Sequence, residues 1–158
     1  MPDDLKRALS VAYRLLAGRD RSVHEIRVAL LKREFTEDTA EAAIRHLSEK
    51  RLLDDVKFAG LYAESLLRNK KVGPRYIEQA LLKKGIHRAT TENAVKAIFS
   101  DPYMQAREIG EWVERKSKQM KDTVSPQQKK KRIFDFLIRR GFSYDAIMKG
   151  IGGRNSHE

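Results

Sequence analysis

The residues able to do chemistry in this sequence are mostly cations. Basic pairs recur as Lys32-Arg33, Lys83-Lys84 and Arg139-Arg140. A run of four is formed by Lys129-Lys130-Lys131-Arg132, and Arg68, Lys70, Lys71 and Arg75 crowd one short stretch. Groups of this kind attract polyanions or acidic protein surfaces; alone they break no bonds. The acidic side offers less. Asp54-Asp55 is an adjacent pair, but a metal enzyme needs further carboxylates or histidines converging on it. Its place ahead of an apolar helix suits an N-cap and a favourable dipole charge instead. His24, His46, His87 and His157 are scattered, with no His-x-x-x-His pair. The glycines are isolated helix punctuation, not a phosphate-cradling loop, and no nucleophile has an identifiable base partner. No catalytic residue, metal ligand or cofactor is expected, and the chain reads as a binding protein.

The cations divide by their place on the helices that must carry them. Lys32-Arg33, Lys83-Lys84 and Arg139-Arg140 fall at helix C-terminal ends, where a cation is stabilising by roughly 0.3–1 kcal/mol without any partner. Lys129 to Arg132 fall in the first turns of a helix that Ser125-Pro126 starts, and Arg75 follows Gly73-Pro74 at another helix start. There cations oppose the dipole, which favours an anionic partner, and helix-end N–H groups would assist it. Arg68, Lys70 and Lys71 extend this patch. Trp112 and the tyrosines offer faces on which bases stack. Trp112, however, shares helical spacing with Ile109 and Val113, which predicts a core position. Tyr76 and Tyr144 flank the basic positions and are the better surface candidates, equally open to ordinary packing.

The carrying elements repeat. Ile26, Leu30, Phe35 and Ile44 have the spacing 0, 4, 9, 18, and so do Ile77, Leu81, Ile86, Val95 and Ile133, Leu137, Phe142, Ile151. A basic pair precedes the turn each time. Ala8, Ala12 and Leu15 lie 18, 14 and 11 residues before Ile26, and Ala59, Ala63 and Leu66 lie at the same distances before Ile77. The chain is therefore read as three tandem three-helix repeats, all-α with about nine helices, and stacked into an elongated curved array because each small unit buries little alone. The repeats are placed at residues 1–51, 52–100 and 101–152, with a flexible tail over 153–158. Ser22-Val-His-Glu25 is a capping-box pattern, and Thr36 caps the helix after it. Ala106, Ile109, Trp112 and Val113 form the expected inner face of the first helix in repeat three. Lys121–Ser125 is the expected flexible joint. Gly85 and Gly141 suit the left-handed conformation at a helix C-terminus, with Ile86 and Phe142 folding back on the last turn. Glu34 stands in the glycine place of repeat one; the same geometry would strain it by about 1 kcal/mol, so a different turn is expected there.

Totals agree with this reading. Of 158 residues 41% are hydrophobic, enough for a packed core. No apolar run approaches the roughly 18 residues of a membrane span, and the start, MPDDLKRALSVAY, lacks a signal-peptide design. There is no cysteine, which fits a reducing cytoplasm. The formal net charge is +11 and it is unevenly spread: 10 basic and 9 acidic groups in residues 1–50, 10 and 5 in 51–100, 13 and 8 in 101–158. The positive field belongs to the middle and C-terminal parts. A monomer without membrane association is expected.

Three segments carry a family resemblance: LLDDVKFAGLYAES, KVGPRYIEQALLKKGI and KKRIFDFLIRRGFSYDAI. In this order they resemble the Leu-Asp-Asp…Phe-Ala, Gly-Pro-x-x-Ile…Leu-x-x-Lys-Gly-Ile and Arg-Gly-Phe-Ser-Tyr segments of the bacterial RecX regulatory proteins. The match runs from about Ala8 to Ile151, departing at Glu34 and at the Pro-containing 101–103 segment. The resemblance implies a protein that binds the RecA recombinase filament on single-stranded DNA. Such a protein limits filament growth and suppresses its ATPase, strand-exchange and coprotease activities, lying along the filament groove and in some cases binding DNA directly. Arg75, Arg139 and Arg140 match the family pattern. The alternative is a direct nucleic-acid-binding helical module of another DNA-processing pathway.

Overall fold

The structure, a computed structural model, describes residues 1–152; the tail expected over 153–158 lies outside the described residues. Among the described residues there are nine α-helices and no strand: α1 (Asp3–Gly18), α2 (Val23–Lys32), α3 (Glu37–Glu49), α4 (Asp55–Lys70), α5 (Pro74–Lys83), α6 (Arg88–Ile98), α7 (Met104–Gln119), α8 (Pro126–Arg139) and α9 (Tyr144–Gly152). Their starts follow the capping residues. Ser22 Oγ accepts the Glu25 N–H at 3.1 Å while the Glu25 carboxylate accepts the Ser22 N–H at 3.2 Å, a complete capping box. Thr36, Asp54, Ser125 and Ser143 each accept an N–H three residues on, an arrangement that stabilises a helix by about 1 kcal/mol. Asp55 accepts the Val23 N–H at 2.9 Å, so both members of the acidic pair are committed to helix starts.

The described residues form two compact units: Met1–Tyr62 with Leu81–Thr91, and Ala63–Ala80 with the chain from Glu92 onward. The first is built on Ala8, Leu9, Ala12, Ile26, Leu30, Ala40, Ala43, Ile44, Leu47 and Leu53. The second contains a core of Ile109, Val113, Ile133, Leu137, Phe142 and Ile147. Of the recurring apolar residues Ile26, Leu30, Ile44, Ile77, Leu81, Ile86, Ile133, Leu137 and Phe142 are therefore buried, whereas Phe35, Val95 and Ile151 are half-buried. On α7 the inner face turns slightly from the expected one. Met104, Gln105, Glu108, Ile109, Trp112 and Val113 are buried or half-buried, whereas Ala106 is exposed. At 100° per residue the stripe centres near Gln105, Ile109, Trp112 and Lys116, which leaves Ala106 at its margin.

The three turns after the middle helices share one geometry. Phe35, Ile86 and Phe142 donate N–H to the carbonyls of Leu30, Leu81 and Leu137, and residues Glu34, Gly85 and Gly141 donate to Leu31, Leu82 and Ile138. This is the Schellman pairing, with the intervening residue left-handed: φ is 67° at Glu34, 77° at Gly85 and 90° at Gly141. The different turn expected in repeat one is thus not found; the hydrogen bonds and the fold-back of Phe35 hold Glu34 in a glycine conformation. Glu34→Gly is expected to stabilise the protein by about 0.5–1 kcal/mol, the left-handed penalty less the extra unfolded-chain entropy of glycine. A lowered urea midpoint would contradict this.

Candidate functional site

In the second compact unit the basic residues are brought together by a backbone junction. The start of α5 lies against the turn between α8 and α9. Gly73 donates its N–H to the Arg140 carbonyl at 2.8 Å, and Arg75 donates to the Gly141 carbonyl at 3.0 Å. Approach this close requires two glycines. A Cβ on Gly73 would sit 2.5 Å from the Gly141 carbonyl, and one on Gly141 would overlap the Tyr76 nitrogen and lie 2.6 Å from its Cβ. The sequence Gly73-Pro74 marks a helix start on its own; the second role of Gly73, yielding room to another backbone, is visible only in three dimensions.

Side chains lock the same junction. Trp112 Nε1 donates to the Lys71 carbonyl at 2.7 Å, and the Arg140 guanidinium donates to the Lys70 carbonyl. Lys71 itself is left-handed, with φ 52°, so the α4–α5 link is held in a conformation it would not choose alone. Arg140 lies 4.8 Å from the Trp112 ring centroid and Arg115 4.9 Å from it, while Phe136 meets Trp112 edge-on at 4.9 Å. Lys116 stands 4.1 Å from the Phe136 centroid. Trp112 is accordingly a half-buried structural residue, as its spacing predicts. Sequence reasoning missed Arg115 and Lys116; the i+3 place of Arg115 after Trp112 is the helical signal for its stacking, whereas Lys116 reaches Phe136 on another helix, which no local spacing encodes. Tyr76 is also structural, its backbone against Gly141 and its hydroxyl accepting from Lys70 at 3.2 Å. Tyr144 stays 60% exposed and is the surface aromatic.

These contacts sort the twelve candidate cations. Lys71 pairs with Glu111 at 2.9 Å, Arg140 is engaged in the junction, and Lys70 leans on Tyr76. Arg68, Arg75 and Arg139 are exposed, with no carboxylate within ion-pair distance among the described residues. The α4 end, the α5 start and the α8 end meet at this junction, so exposed Arg68, Lys70, Arg75 and Arg139 all belong to the segments it joins, Arg139 being next in sequence to the bound Arg140. Arg75 is the second residue of α5, where a cation opposes the helix dipole.

The remaining candidates fall in two groups. In the first unit Lys84 pairs with Glu25 at 3.4 Å and stands over the Tyr62 ring, leaving Lys83 exposed. Burial alone would raise the Glu25 carboxyl; Arg19 at 2.6 Å, the Ser22 N–H and Lys84 outweigh it and hold the group below its ordinary range. In the second unit Lys129, Lys130, Lys131 and Arg132 have no ion pair among the described residues. They begin ten residues before Arg139, about 15 Å along α8, and do not join the junction. Because α8 starts at Pro126, they occupy its fourth to seventh positions. The dipole penalty expected for them is therefore small, as it fades beyond the first turn.

Among the described residues no helix is long and apolar enough to cross a membrane. Fold and site together define a tandem three-helix-repeat protein with a cationic junction between repeat elements. Three family models match in succession: the first RecX three-helix domain over residues 8–47, the second over 54–95 and the third over 109–151. The chain belongs to the RecX family. A "Regulatory protein RecX" of Halalkalibacterium halodurans is 29% identical over 145 residues, covering 92% of this chain and 53% of that protein. One of Chlorobaculum tepidum is 30% identical over 144 residues, covering 91% and 86%. The crystal structure of RecX from Lactobacillus salivarius is 25% identical with a TM-score of 0.89, covering 98% of this chain and 99% of that one. The chain spans about half the length of the Halalkalibacterium and Geobacillus thermodenitrificans relatives.

Proposed function

We propose that this chain is a non-enzymatic, cytoplasmic regulator that binds the RecA filament on single-stranded DNA. It slows filament extension, and ATP hydrolysis, strand exchange and coprotease activity fall with it. Family membership supports the RecA connection. The observation that carries a polyanion contact is the junction, whose joined segments bear exposed Arg68, Lys70, Arg75 and Arg139 without ion pairs among the described residues, Glu111 there being taken up by Lys71. The junction fixes the backbone that carries these cations, so binding need order only their side chains. Arg140 serves the same junction by fixing the Lys70 carbonyl and the α5 start. Lys83, with Lys84 tied to Glu25, and the Lys129–Arg132 run are additional contacts in this reading.

The test is RecA-dependent ATP hydrolysis on single-stranded DNA with stoichiometric protein. Hydrolysis is expected to fall, and the combined change of Arg68, Arg75 and Arg139 to Ala is expected to require at least tenfold more protein for the same effect. Unchanged hydrolysis with the unaltered protein would sink the proposal. The alternative, a nucleic-acid module of another pathway, is favoured by the same cations. It predicts tight, steeply salt-dependent binding to bare single-stranded DNA, the slope dropping by about one for each phosphate contact removed.

A further inference from the structure

The third repeat departs from the other two at one place. In the first unit the start of α2 receives a turn: Ser22 Oγ donates to the Lys84 carbonyl at 2.6 Å, and a Cβ on Gly85 would overlap His24. In the second unit the start of α5 receives the Arg140-Gly141 turn in the same way. Ser22, Gly73 and Lys129 are equivalent, each four residues before the anchoring isoleucine. Position 129 alone receives nothing among the described residues. There the helix begins earlier, so that α8 has 14 residues where α2 and α5 have 10.

The extra turn builds a cleft of about 240 Å³. Val113, Ile133 and Ile151 supply apolar surface, Pro126 and Ser117 close it, and Lys129 and Lys130 line its edge. An apolar space of about 150 Å³ accepts a benzene ring, so this one holds a large side chain. Where the equivalent helix starts meet a carbonyl-bearing turn, this one presents unpaired ammonium groups, with Lys131 and Arg132 beyond. We propose that the cleft between α7, α8 and α9 is a docking site for an acidic peptide segment carrying one bulky apolar side chain. The apolar anchor enters between Val113, Ile133 and Ile151, and the flanking carboxylates meet Lys129 and Lys130. The proposal uses none of the junction cations; it shares Lys129 and Lys130 with the proposed function, and these begin ten residues before Arg139, about 15 Å along α8.

The test uses the full chain and fluorescence anisotropy of a labelled synthetic peptide of aspartates and serines with one central phenylalanine. Replacing that phenylalanine by alanine is expected to weaken binding about tenfold or more, the factor for burying an aromatic side chain. Ser117→Trp, at an exposed position, fills the cleft without altering charge. It should weaken the peptide by a similar factor while leaving the circular dichroism and the affinity for single-stranded oligothymidylate unchanged. Lys129→Glu with Lys130→Glu should abolish peptide binding. Equal affinity for the two peptides, or a Ser117→Trp protein that binds the peptide as before, overturns the proposal. So does absence of peptide binding. Oligothymidylate that displaces the peptide and is itself blocked by Ser117→Trp would assign the cleft to nucleic acid instead.

Discussion

Gly141→Ala is expected to lower stability by about 2–4 kcal/mol and to disable the junction. Alanine at φ 90° is in a region L-residues avoid, which costs roughly 1–2 kcal/mol. The added methyl overlaps the Tyr76 nitrogen, a backbone atom that no rotamer change can move aside. Relief requires the start of α5 to withdraw. That stretches the Gly73–Arg140 and Arg75–Gly141 hydrogen bonds, each contributing about 0.5–1.5 kcal/mol net. Arg75 would separate from Arg139 as a result, so partner binding should fall even at temperatures where the protein remains folded. Gly60→Ala is the control. A Cβ there meets nothing within 4 Å, and in the middle of α4 alanine should stabilise by about 0.5–1 kcal/mol. Urea unfolding of both proteins decides the matter: a Gly141→Ala midpoint equal to the unaltered one would show that the junction yields without cost.

Leu137→Ala should remove about 2–5 kcal/mol, the range for a truncated, fully buried leucine. Leu137 has no exposed surface and packs with Ile109, Val113, Ile133, Phe142 and Ile147. Its carbonyl also receives the Phe142 N–H that closes the turn. Loosening this core therefore reaches Gly141, and through it the start of α5. Ile138 is the neighbour that separates burial from helix propensity. It is 41% exposed, and Ile138→Ala should cost well under 1 kcal/mol. Denaturant curves for the pair, with comparable slopes, should differ by the cavity term; coincident midpoints would show that Leu137 contributes little to the core.

The helices were legible because the signals are local. Ser22, Thr36 and Ser125 cap where a Ser or Thr precedes an apolar period, and Ile26, Ile77 and Ile133 recur at a spacing that only a repeat explains. The family resemblance was legible from three motifs in register, and the matches at 8–47, 54–95 and 109–151 agree with it. The site was less so. Sequence places Arg139 and Arg140 side by side with the same residue type, yet one is exposed and the other is stacked on Trp112 and bonded to the Lys70 carbonyl. Partner choice of that kind depends on a backbone carbonyl seventy residues away, which no local pattern encodes. The Glu34 turn went the other way: intrinsic preference argued against the left-handed state, but two backbone hydrogen bonds and the packing of Phe35 against the core override a cost of about 1 kcal/mol.

Glu34 also separates two demands that glycine usually satisfies at once. Gly85 and Gly141 are needed for their conformation and, further, because a side chain or another stretch of backbone lies where a Cβ would be. Glu34 meets the first demand with strain and escapes the second, since its side chain is exposed. The amino acid at this one place is thus a record of neighbourhood. In a longer RecX chain, a glycine there would mark a turn on which a preceding repeat is seated, and a larger residue a turn that faces water. Vacant and occupied turns would then be countable along the chain, one letter per repeat.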